Sequence, residues 1–168
     1  VMRLHISSKL ASVHSETEVA NEKGEILYTA QTDPLSAPRL TRVVDGAGVE
    51  IARYTTTRTD TKDRAYRILM ADGSELDLKR KFRVSAKTNE AVIRVQPVAW
   101  SVVTRRAWTC RFEIRDSSDR VVARAKQVPA LRGDVYDVDV LDSSREVRTV
   151  LLSLIARTVI REDSPSPV

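Results

Sequence analysis

The densest candidate for chemistry is LDLKRKFRV, residues 76–84, where five cationic or large apolar types alternate. In an extended strand Leu76, Leu78, Phe82 and Val84 share one face with Arg80, and Lys79, Lys81 and Arg83 line the other. Three cations in a one-sided row could clamp a phosphorylated headgroup or follow a phosphate backbone. The same row also suits an exposed strand that charge keeps soluble and protects from edge pairing. Only Phe82 lies among these cations, and it faces inward, so the aromatic platform of a single-strand binder is missing and nucleic acid is not the expected partner. Arg105 and Arg106, just before Trp108, make a second basic spot. Neighbouring strand residues point oppositely, so a shared outward role places that pair in a loop.

Other reactive types lead to weaker chemistry. Asp134, Asp137, Asp139 and Asp142 form an acidic cluster, but a calcium site needs six to eight oxygens converging from a turn, and two of these alternate along a strand. No metal is expected there. His5 and His14 are the only histidines. His14 sits between serines, yet a triad depends on tertiary geometry that spacing cannot supply. Nucleophile-elbow, phosphate-loop, HExxH and CxxC patterns are absent, so neither an enzyme nor a cofactor is expected. Cys110 is the single cysteine and falls in the alternating WTCRFEI, which reads as a buried thiol in a reducing compartment. A net charge of +5 spread over 28 basic and 23 acidic residues leans toward acidic partners without forming a single-sign surface. The start VMRLHISSKL has no long apolar run of the signal-peptide kind, and a cytoplasmic location is expected, with peripheral association at a membrane as its extension.

The element that must organise these residues is SSREVRTVLLSLIARTVI, residues 143–160. A capping box, Ser143 with Glu146, is expected to open it. Val147, Val150, Leu151, Leu152, Leu154, Ile155, Ala156, Val159 and Ile160 then cover roughly 280° of a helix circumference. Thr149, Ser153 and Arg157 form the only polar line, and Arg157 must meet a carboxylate, a carbonyl or a solvent-filled mouth. A helix apolar nearly all round must be enclosed. Its apolar stretch is too short to span a bilayer, and Arg148 and Arg157 interrupt it, so the enclosure is expected to be the chain's own strands.

Up to Leu141 the chain alternates with period two, punctuated by turns. Gly24, Gly48 and Gly73 recur 24 and 25 residues apart, each before a strand, and Asp119 takes the glycine's place in a fourth copy. Asp45-Gly46 and Asp72-Gly73 suggest tight primed turns with two left-handed residues each. Pro97 should end or bend a strand between AVIRVQ and VAWSVVT. DVYDVDVL puts Tyr136, Val138 and Val140 on one face and runs directly into the helix. A barrel of about a dozen strands leaves a lumen too wide for its own side chains, and one helix would fill it. The fold expected is therefore mainly β, a closed antiparallel barrel around a central C-terminal helix. One domain covers residues 1–163, and the polar, proline-rich residues 164–168 are expected to form a disordered tail.

The hairpin run and the closing GDVYDVDVLDSSREVRTVLLSLIARTVIRED, with NEKGEILYTA and the DGAG-to-ADGS hairpins, resemble the LURP-one-related family of the tubby C-terminal-like superfamily, which also includes the phospholipid scramblases. The resemblance implies a barrel of about twelve antiparallel strands around one helix. It also implies two functional directions. One is a non-enzymatic binding or scaffold protein presenting its exterior to an anionic ligand or a protein partner. The other is a peripheral membrane protein that binds phosphoinositide or other anionic headgroups through a basic strand face. Lys79, Lys81, Arg83, Arg105 and Arg106 are the candidate contacts, and Val147, Val150, Leu151, Leu154, Ile155, Arg157 and Val159 form the plug.

Overall fold

Along most of the strands alternate side chains are buried, and the buried sets of adjacent strands face each other in register. The computed structural model describes residues 1–9, 15–58, 64–81, 90–129 and 135–163. Twelve strands occur in chain order: β1 (Met2–Lys9), β2 (Ser15–Asn21), β3 (Ile26–Asp33), β4 (Leu40–Asp45), β5 (Glu50–Arg58), β6 (Arg64–Met70), β7 (Glu75–Lys81), β8 (Glu90–Gln96), β9 (Trp100–Arg105), β10 (Arg111–Arg115), β11 (Val121–Val128) and β12 (Val135–Val140). Each pairs antiparallel with its sequence neighbours, and β1 pairs with β12, closing the barrel. At the closure Leu4 lies opposite Val138 and Ile6 opposite Tyr136, all buried, so apolar matching sets the register there. The tail 164–168 lies outside the described residues.

A single 3-10 turn, Ser143–Arg145, leads into helix α1 (Glu146–Asp163). From Thr149 through Ile160 every residue of α1 except Thr158 is buried, including the polar line Thr149, Ser153 and Arg157. The helix therefore has no solvent face along this stretch and runs inside the barrel. Its backbone comes closest to β9 through β12, where Ala123 and Ala125 offer small inward side chains. Across the lumen Tyr28, Tyr54 and Tyr66 project from β3, β5 and β6 and fill the wider side. Arg148, near the start of the helix, lies over the Trp100 ring at 4.7 Å, which accommodates one of the two charges that interrupt the apolar surface.

The helix start differs from the expected capping box. Asp142, one residue earlier, is the cap and accepts from Ser144 N at 3.0 Å. Glu146 does not reach back; its carboxylate accepts a short hydrogen bond from the Tyr28 hydroxyl. The 3-10 turn shifts the cap, and the buried Tyr28 phenol takes the Glu146 carboxylate as its partner. Burial first, and then Glu146, hold the Tyr28 phenol well above its ordinary pKa.

The turns also differ from the primed type. Gly24, Gly48 and Gly73 have φ of +81°, +83° and +88°, and Asp119 has φ of +63°, whereas Gly46 and Asp72 are not left-handed. Each is the fourth residue of a turn whose amide bonds back to the first carbonyl, as from Gly24 N to Asn21 O and from Gly48 N to Asp45 O, both at 3.0 Å. One left-handed residue after a right-handed turn is the G1-bulge form. The side chains of Asn21, Asp45 and Asp116 accept two backbone amides each. That shared need explains both the recurring Asn or Asp and the recurring glycine. Hydrogen bonds from the Arg120 and Ser118 amides hold the Asp116 carboxyl below its usual range.

Because strands alternate in direction, these tight turns all lie at the mouth where α1 begins. The connections β3–β4 and β9–β10 lie at the opposite mouth, where α1 ends.

Leu152 and Leu154 project from roughly opposite sides of α1, about 200° apart. Both are buried, so Leu152→Ala and Leu154→Ala should each cost about 2–5 kcal/mol in chemical denaturation; a helix lying on an open sheet would show that cost on one side only. A second expectation concerns alkaline pH. Burial pushes the Tyr54 phenol up to about 12, against opposing effects of a Thr41 hydrogen bond and of Arg157 and Arg161. A raised phenol favours folding in its neutral form, so its contribution is whole below about pH 10, the unfolded value. It is then lost as pH rises toward about 12. Urea midpoints should fall across that interval, and Tyr54→Phe should flatten the fall.

Candidate anion-binding face

The outward residues of β7 through β12 carry most of the basic side chains that the alternation exposes. Lys79 points outward from β7 and lies opposite Arg94 of β8 and Ala65 of β6. Lys81 ends β7 with its side chain outside the described set, and Arg83 lies outside the described residues. Arg105 is the last residue of β9 and exposed, rather than part of a loop; Arg106 follows the strand, half-buried. The strand continues one residue further than expected because Arg105 pairs in register with both Glu90 and Arg111.

The structure adds residues that the sequence reading did not single out. Arg105 of β9 lies opposite Arg111 of β10, which lies at the level of Lys126 of β11. Adjacent strands are about 4.8 Å apart, so three cationic side chains leave one wall within about 10 Å. Like charges placed directly opposite are destabilising. Several other cations on this wall are matched: Arg3 with Asp139 at 2.8 Å, Arg115 with Glu113 at 3.0 Å, Arg124 with Glu113 at 3.6 Å. Arg105, Arg111 and Lys126 make no ion pair with any described residue. Asp137, opposite Lys126 in register, is engaged by His5 Nδ1 in a short contact. A groove of about 480 Å³ runs beside the row, lined by Arg3, Arg111, Arg124, Lys126, Asp137 and Asp139 among others.

RFEIR and ARAKQ could have revealed Arg111, Arg124 and Lys126 as outward residues, since Phe112, Ile114, Ala123 and Ala125 alternate with them. That Arg111 stands level with both Arg105 and Lys126 depends on strand register, for which the sequence has no direct signal.

Trp108 lies in the β9–β10 connection and is wholly exposed, two residues after Arg106 and three before Arg111. Leu35, nearly as exposed, lies in the β3–β4 connection. Both connections are at the mouth where α1 ends, six strands apart around the barrel. The remaining candidates have local partners. Asp139 binds Arg3, Asp137 binds His5 and Asp142 caps the helix; Asp134 lies outside the described residues. The His5–Asp137 pair stands on the outer wall with Ala20 on its other side, and His14 lies outside the described residues. Cys110 is buried immediately before β10. Arg157, only 3% exposed, donates to Thr17 Oγ1 at 3.4 Å and to Ser8 Oγ, so it meets hydroxyls near the mouth.

A model of the LURP-one-related family matches residues 2–156. No curated protein and no solved structure gives a match.

If the unmatched row exists for a ligand, removing a charge should not weaken the fold. Arg111→Gln should leave unliganded stability unchanged or raise it by about 0.2–1 kcal/mol, measured by urea denaturation at low salt. A clear loss of stability would assign Arg111 a structural role instead.

Proposed function

As the chain belongs to the LURP-one-related family and its lumen is occupied by its own helix, we propose that it is a non-enzymatic binding or scaffold protein. It engages an anionic ligand or an acidic protein partner through the outer wall of the barrel. The observation that supports this reading is the row Arg105, Arg111, Lys126, three adjacent cations at one level, flanked in register by Glu90 and Asp137 but making no ion pair with a described residue. A row kept only for solubility would interleave signs, as the neighbouring positions Arg3, Asp139, Arg124 and Glu113 do. The reading as a non-enzyme draws support from the one described histidine, which is held by Asp137 on an open wall rather than in an enclosed polar cavity.

A second reading, peripheral attachment to anionic lipid, is favoured by Trp108. An exposed indole flanked by arginines suits the boundary between headgroups and acyl chains. Each cation near an anionic membrane surface contributes about 1 kcal/mol, so three or four give weak, reversible binding that an inserted indole would strengthen. No described helix is long and apolar enough to cross a membrane.

Co-sedimentation with vesicles separates the two readings. Under the second, wild-type protein should pellet with vesicles containing phosphatidylserine or phosphoinositide and not with neutral ones, and added salt should release it. The Arg105→Gln, Arg111→Gln, Lys126→Gln triple variant should stay in solution, Trp108→Ala should bind more weakly, and a Lys79, Lys81, Arg83 triple-alanine variant should show whether that strand contributes. Equal pelleting of wild type and the first triple variant would exclude this row as the contact. Absence of vesicle binding, together with a salt-resistant protein partner lost in the same variant, would favour the first reading.

A further inference from the structure

The mouth where α1 ends contains a second, more enclosed cationic site. A pocket of about 210 Å³ lies between the last turns of α1 and strands β2 to β5. Arg39, Arg157 and Arg161 line it together with hydroxyl groups that include Thr41, Tyr54 and Thr56, and no carboxylate is among its lining residues. Arg157 is buried at its floor, while Arg39 and Arg161 are exposed at its rim. Neither Arg39 nor Arg161 makes an ion pair with a described residue. Asp33, close in sequence to the β3–β4 connection, is not among the lining residues, and its carboxylate accepts from the Leu35 amide at 2.9 Å.

Arg157 and Arg161 are four residues apart on one helix face, and like charges at that spacing repel. Arg39 approaches the same volume from the β3–β4 connection. The helix C-terminus offsets roughly half a unit charge, less than the two rim guanidinium groups of Arg39 and Arg161, and that effect falls off within a turn. The hydroxyls are already organised: Thr32 and Thr41 bond to each other at 2.9 Å, and Thr41 bonds to Tyr54. Both Arg157 and Arg161 also bear electrostatically on the Tyr54 phenol that lines the pocket, in keeping with their closeness to it.

We propose that this pocket binds a single phosphate group, either as inorganic phosphate or as the terminal monoester of a phosphorylated headgroup. Guanidinium forks match phosphate oxygens in pairs, which lysine cannot do. The pocket is smaller than the roughly 300–1,000 Å³ of drug-sized sites, so it suits one oxyanion rather than a nucleotide. It is also separate from the outer row: β4 and β10 lie diametrically opposite in the twelve-stranded ring.

Isothermal titration of the full chain with inorganic phosphate, against chloride at matched ionic strength, reads the soluble form of the ligand. Vesicles containing phosphatidic acid, compared with phosphatidylserine vesicles of equal charge, read the headgroup form. Saturable heat, or a preference for phosphatidic acid, is expected in the wild type, and which of the two appears identifies the source. The Arg39→Gln, Arg161→Gln double variant alters only exposed rim residues and should keep its unliganded melting temperature. It should bind about tenfold or more weakly. The Arg105→Gln, Arg111→Gln, Lys126→Gln variant should keep the phosphate response, which separates this site from the outer wall. Absence of both saturable heat and phosphatidic acid preference in the wild type would overturn the proposal. So would retention of wild-type affinity by the rim double variant.

Discussion

The structure depends on one mutual requirement: a helix with no solvent-facing side and a barrel too wide to fill itself. Twelve strands enclose more space than their inward side chains occupy, and α1 presents apolar side chains around all of its circumference but the line Thr149, Ser153 and Arg157. Neither could be stable alone, since the helix would expose Leu151, Leu152 and Ile155 to water and the barrel would hold a void. Close packing at the density of protein interiors follows only when both are present. The placement of small and large residues reflects this. Ala123 and Ala125 let the helix approach one wall, and Tyr28, Tyr54 and Tyr66 reach across the gap left on the other.

That requirement determines where binding can occur. An occupied lumen leaves the outer wall and the two mouths. The mouth at the start of α1 is rimmed by tight G1-bulge turns, in three of which an Asn or Asp side chain engages nearby backbone amides. The other mouth carries the projecting Trp108 and Leu35 and the convergence of Arg39, Arg157 and Arg161. The alternating direction of the strands thus assigns different chemistry to the two ends. Both cationic groupings, the row on the wall and the trio at the mouth, are related to this second end.

Much of the fold could be read before any coordinates. The all-round apolar helix demanded enclosure, and period-two alternation supplied the strands to provide it. The 24- and 25-residue spacing of Gly24, Gly48 and Gly73 marked every second turn, and Asp119 does adopt the left-handed conformation that its alignment with them required. Less was legible at the turns themselves. Dipeptides such as Asp45-Gly46 suggested a primed turn, whereas the left-handed residue is the fourth one, because the aspartate side chain stabilises a right-handed turn before it. At the helix start, Glu146 had two possible partners, a nearby amide and a distant phenol, and only folding brought the phenol close.

The sequence by itself determined which side chains would face water and which would face the lumen, because that choice depends on a local period of two residues in strands and on the circumference of one helix. Tertiary structure decided which outward charges would meet. Arg105, Arg111 and Lys126 come from three strands, and Arg39 and Arg161 from segments more than a hundred residues apart; register and ring closure bring them together. Register emerges from the summed matching of buried partners such as Leu4 with Val138, a property of pairs of strands that no single stretch of chain contains.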